Sequence, residues 1–150
     1  WSVTKRSLWV LDIVQEAGLL YDSSVFPVRT HLYGISGRPR HIHRLDCGLT
    51  EVPPSTIRLA GHTIPFSGGF FLRALPYRFI HWSLRRVNAE GYPAVVYLHP
   101  WELDTEQPRN LPIPFFDRMV HYMNLHTTER KLRGLCESFS FGPVCEVVSL

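Results

Sequence analysis

The sequence is short of several signals that would place a protein quickly. No apolar run approaches the roughly 20 residues that a helix needs to cross a bilayer, and no stretch has the order of a secretory leader. Neither GxSxG, nor a P-loop, nor GxGxxG occurs, so acyl transfer from a serine elbow, P-loop phosphoryl transfer and dinucleotide binding have no foothold. The three cysteines (Cys47, Cys136 and Cys145) form no CxxC pair, and any disulfide scheme leaves one over. Reduced, structural thiols are the expectation. The net charge of +3 is mild, and the densest basic groups, Arg38-Pro39-Arg40 and Arg85-Arg86, are too short to argue for nucleic acid. No internal repeat or low-complexity tract is present.

What is there is enough for one domain with a core: 150 residues, 45% of them hydrophobic. The chain opens Trp1-Ser2-Val3-Thr4 rather than on methionine, which reads as the interior of a longer protein. Residues 1–26 read as a helix and a strand. Val3 to Ala17 has Leu8, Leu11 and Val14 on one face, with Ser2 or Thr4 as cap and Gly18 as stop. Leu19-Leu20-Tyr21 follows as a short strand. Helix, glycine, strand is the rhythm of an α/β unit with parallel strands. Residues 27–69 are rich in Pro, Gly and His and read as an irregular excursion, with short strands at Gly48–Ile57 and Ile64–Phe66. Residues 70–150 predict a helix over Leu75–Ala89 facing inward through Phe79, Trp82, Leu84 or Val87. A strand over Pro93–Leu98, apolar on both faces, comes next. A proline-punctuated loop spans Glu102–Phe116, a helix Thr128–Ser138 carries Leu132, Leu135, Cys136 and Phe139, and Val144–Val148 predicts a closing strand.

Chemistry concentrates at the end of the Pro93–Leu98 segment. Parallel α/β folds gather functional groups where strands end at their carboxyl side, and His99 stands there. Imidazole changes charge near neutral pH and suits general acid or base work. Pro100 removes an amide that would extend the strand, Trp101 can wall a pocket, and Glu102 or Asp104 can orient the ring through its second nitrogen. The alternative is a capped strand whose histidine bonds a nearby carbonyl. Asp22, with Ser23 and Ser24, ends the earlier strand and can face the same cleft, or can simply cap a turn. His41-x-His43 lacks a third ligand in register for a metal. His31, His62, His81, His121 and His126 read as surface or partly buried residues.

Four segments carry a resemblance: LDIVQEAGLLYDSSVFPVRTHLYGI, TEVPPSTIRLAGHTIPFSGGFFLRALPY, YLHPWELD with the following QPR, and HYMNLHTTERKLRGLCESFSFGPV. Together they resemble the C-terminal part of a polysaccharide deacetylase, most closely the subfamily found with exopolysaccharide and PEP-CTERM/exosortase gene clusters. YDSS-x-FP, GG-[FY]-F-x-R-x-LP and LHPWE-x-D are specific in combination.

The resemblance implies an α/β chain forming the C-terminal portion of a distorted (β/α) barrel, with the irregular β-containing insertion in its middle. It implies hydrolysis of N-acetyl groups on a polysaccharide, with a divalent metal, most often zinc, held in the complete enzyme by one aspartate and two histidines. A second aspartate acts as base, and a late-strand histidine protonates the leaving amine. That histidine matches His99; Asp22 and Ser23 line the groove and Trp101 walls the pocket. The family's Asp-Asp and HxxxH motifs lie upstream and neither occurs here; His121 and His126 are five apart and do not substitute. The RxP motif falls just before Trp1. This segment is therefore expected to bind no metal and to be inactive alone. Its expected partners are the polysaccharide substrate and the missing N-terminal half, without nucleic acid or a membrane span. The expected setting is a bacterial cell, with the cytoplasm favoured. Two readings stand beside this one. A non-catalytic carbohydrate-binding or scaffolding module would use Tyr97, Trp101 and Phe70-Phe71; a short protein that has lost catalysis is the other.

Overall fold

Glycines and prolines set the punctuation that the rest of the chain obeys. A computed structural model describes residues 2–30 and 33–148. In chain order these form α1 (Val10–Glu16), β1 (Tyr21–Asp22), β2 (His43–Arg44), β3 (Thr50–Glu51), β4 (Thr56–Leu59), β5 (His62–Pro65), α2 (Gly69–Ala74) and α3 (Tyr77–Ala89). A single 3-10 turn (Pro100–Leu103), α4 (Phe115–Tyr122), α5 (Leu125–Ser138) and α6 (Val144–Val147) complete it. The architecture is mixed α/β. β1 pairs in parallel with β3, β2 pairs antiparallel with β3, and β4 and β5 form a separate hairpin. Among the described residues these sheets do not close on themselves.

Two apolar clusters hold the elements. The larger joins Ile57 of β4, Phe66, Leu72 of α2, Ile80, Leu84 and Val87 of α3, and Leu135 of α5. The spacing of Ile80, Leu84 and Val87 is one helical stripe, and Pro76 stands just before the first turn of α3, which its fixed φ favours. The smaller cluster joins Val3, Leu11, Val25, Ile35 and Leu49.

Several expected elements change. The first helix is confined to Val10–Glu16, because Thr4 and Ser7 spend their hydrogen bonds on a preceding turn. In α3 the stripe is rotated: Ile80 is buried and Trp82 is 42% exposed. α5 starts at Leu125, earlier than expected, and buries Leu125, Thr128, Lys131 and Leu135 while Cys136 is exposed. The hairpin turns at Ala60-Gly61, where both residues have positive φ, matching a two-residue I′ turn. α4 forms across the end of the expected loop, started by Pro114. The closing strand at Val144–Val148 is instead α6: Pro143 cannot donate to a ladder, but its carbonyl accepts from Glu146 and Val147.

The Pro93–Leu98 segment is extended but is not a strand buried on both faces. It is half-buried, joined to its surroundings by one parallel bridge between Tyr97 and Gly68 and by bonds to Ser55. A run of apolar residues fits an interior strand only where neighbours flank it, and here one side alone has them.

Candidate functional site

The Ser67-Gly68-Gly69 turn positions the site because it lets two side chains come very close. A Cβ on Gly68 would meet the Tyr97 ring at 2.5 Å, and one on Gly69 would collide with the Glu102 carboxylate. Any larger residue at either place would push Tyr97 or Glu102 away. Ser67 adds to the clamp: its carbonyl accepts from Tyr97 N–H, and its hydroxyl donates to Ser55 O.

Glu102 is 1% exposed and sits at the centre of the polar network. One oxygen accepts from Arg73 Nε at 2.8 Å. The other accepts from the backbone N–H of His99 at 2.9 Å and lies 3.3 Å from His99 Nδ1. Arg73, also buried, spends Nη1 on the carbonyls of Val120, His121 and Met123 at the end of α4. A buried carboxylate survives only when paired and bonded throughout, and this one is. Lys131 from α5 donates to the carbonyls of Leu72, Arg73 and Leu75, closing the C-terminal end of the helix that carries Arg73.

His99 has its side chain 58% exposed. With Nδ1 turned to Glu102, Nε2 is free, and the residue lines a cavity of about 440 Å³. The other walls are Ser2, Ser23, Ser24, Phe26, Tyr33, Pro54 and Tyr97. The cavity thus lies between the two apolar clusters, with aromatic sides and a serine floor. Ser23 donates its hydroxyl hydrogen to Val52 O, leaving its oxygen free to accept.

The structure brings His99, Ser23 and Glu102 into one arrangement. Asp22 and Trp101 are outside the cavity lining. Asp22 is half-buried and accepts from Ser24. Trp101 stacks on His121 at 4.4 Å and lies within 5.2 Å of the Arg73 guanidinium, so its ring is engaged by protein rather than by the cavity. Asp104 is exposed, accepts from Glu106 N–H, and makes no bond to His99. His41 stacks on Tyr92, and His43 Nδ1 bonds the His41 carbonyl, so that pair is spent on structure. His31 lies outside the described residues. Phe70 packs against Phe71, away from the cavity walls.

Residues 23–149 match the model of a family described as Domain of unknown function (DUF3473). The chain belongs to that family. No curated protein matches it, and no solved structure matches it.

In this DUF3473 chain, sequence reasoning passed over Arg73, Tyr33 and Glu51. Glu51 had a visible signal: an acid between Leu49 and Val52, both buried. It faces Asp22 across the parallel β1–β3 pairing and is fully buried. Its Oε1 accepts from Val25 N–H, while no neighbouring donor meets Oε2. Burial first, and the Asp22 carboxylate second, push its pKa up to about 8. At neutral pH it is therefore held mostly as the carboxylic acid. Tyr97 is likewise held above the usual phenol range, mainly by burial. Among the described residues no group of three or more His, Cys, Asp and Glu is placed to hold a metal ion. No helix among them is long and apolar enough to cross a membrane.

Proposed function

We propose that the chain is the C-terminal part of a polysaccharide deacetylase of exopolysaccharide biosynthesis, in which His99 is the general acid. The observation that carries the reading is His99 at the rim of an aromatic-walled cavity, with Nδ1 facing a buried carboxylate that is itself fixed by Arg73. Nδ1 against Glu102 stabilises the imidazolium and holds the ring in one orientation. Nε2–H of that cation points to open space where a leaving amine can take the proton. After the transfer, the neutral ring keeps its Nδ1 hydrogen on Glu102. Tyr33, Tyr97 and Phe26 offer apolar surface to the C–H face of a sugar, and Ser23 offers an acceptor to its hydroxyls.

The parallel β1–β3 pair and the parallel Tyr97–Gly68 bridge support placing these elements in the closing part of a distorted (β/α) barrel. Among the described residues no donor set fits the metal that the resemblance implies. The reading places its ligands, and the base, on the preceding half.

The test is acetate release from an N-acetylated glycan by the full-length protein. His99→Ala should lower the rate by about 10²–10⁴, the range for a lost general acid; an unchanged rate removes His99 from the mechanism. The cavity's three aromatic side chains also favour a second reading, a carbohydrate-binding module. Tight glycan binding by the full-length protein with no acetate released would select it.

A further inference from the structure

Beside the cavity lies a second depression of about 370 Å³. Lys5, Arg6 and Arg29 line it, together with Thr4, Thr30 and Ser36. No acidic side chain is in its lining, and none of the three cations forms an ion pair among the described residues. By contrast, Arg73 is bound to Glu102, Arg40 to Glu90, and Lys131 to three carbonyls. Three like charges on two neighbouring segments repel one another, and a bound anion relieves that repulsion. The two depressions share Tyr33, and the segment that gives Ser2 to one gives Thr4 and Lys5 to the other. A polymer with one sugar against His99 can therefore extend toward the cations.

We propose that Lys5, Arg6 and Arg29 form a subsite for a carboxylate-bearing sugar adjacent to the residue held at His99, so that the glycan this protein acts on is anionic. The inference rests on the glycan-binding reading of the His99 cavity. Three cations suit one or two carboxylates; they are too few to track a nucleic acid backbone, whose binding needs phosphate contacts along its length. The Ser36 hydroxyl supplies a donor beside the charges, while the Thr30 hydroxyl already donates to the Tyr33 carbonyl and helps fix the loop that carries the wall. Tyr33 forms the wall between the two units.

The test measures binding of the full-length protein to two hexasaccharides, one all N-acetylglucosamine and one alternating N-acetylglucosamine with glucuronate. The alternating polymer should bind about tenfold tighter or more, the size of one charge-assisted contact. That preference should fade near 1 M salt, where screening acts within about 3 Å. It should vanish in the triple variant Lys5→Gln, Arg6→Gln, Arg29→Gln, with neutral-hexamer binding retained. It should persist in Arg85→Gln, which removes an exposed charge elsewhere. Equal binding of both hexamers overturns the anionic subsite and leaves the glycan reading standing. Binding of neither overturns both. A single-stranded oligonucleotide that binds as tightly as the alternating hexamer, and is lost in the same variant, overturns the assignment to a glycan. The substituted residues are exposed, and an unchanged thermal melt separates lost contact from lost fold.

Discussion

The most sensitive residues are those whose charge is buried. Arg73→Ala leaves Glu102 unpaired at 1% exposure and strips a donor from three carbonyls. It should cost about 3–5 kcal/mol, the range for breaking a buried pair, in urea unfolding. Gly69→Ala drives a methyl into the same carboxylate and should destabilise the fold while also releasing His99. Glu51 gives a pH signature. Its folded pKa is about 8 against an ordinary 4.5, so the folded chain keeps a proton that the unfolded chain loses first. That stabilisation is complete below pH 4.5 and is lost as pH rises to about 8, with a slope of at most about 1.4 kcal/mol per pH unit. Denaturant midpoints from pH 5 to 8 should fall in the parent chain, and the decline should flatten in Glu51→Gln.

At the scale of elements, helix ends and turns carry the testable content. The β4–β5 hairpin holds Ala60 at φ 48, a region where an L side chain other than Asn or Asp is strained by about 1–2 kcal/mol. Ala60→Asn should raise the melting temperature, since asparagine takes this conformation readily; no change would mean the turn relaxes another way. α5 ties to α2 through Lys131, which satisfies three carbonyls at once. Lys131→Met keeps the stem and removes the donors. It should cost roughly 1.5–3 kcal/mol, as for a hydrogen bond from a charged group, and lower activity through Arg73.

At the scale of the molecule, the β1 side is incomplete. Among the described residues β1 pairs with β3 alone, and Trp9, Ile13, Leu19 and Leu20 on the segment that leads into it are each at least half exposed. Contiguous apolar surface beside a free strand edge drives association. This chain, produced by itself, should self-associate with concentration in light scattering, and Ile13→Lys with Leu20→Lys should shift it toward monomer. A monomer at all concentrations would show that the face is covered from within.

The helical and α/β character could be read from the sequence, because apolar spacing, Gly91 and Pro76 act on near neighbours. His99 at a segment end, with Glu102 or Asp104 as its orienting acid, was legible for the same reason, since these residues are near neighbours; packing then chose Glu102. Trp101 read as a pocket wall because an aromatic near a candidate acid invites it; only packing showed its ring engaged by Arg73 and His121 outside the cavity lining. Arg73 with Glu102, Lys131 under α2, and Glu51 against Asp22 join residues 29 to 59 positions apart. Those partnerships arise from burial, which makes each charge seek the one group within reach, and burial is a property of the folded chain rather than of any stretch within it.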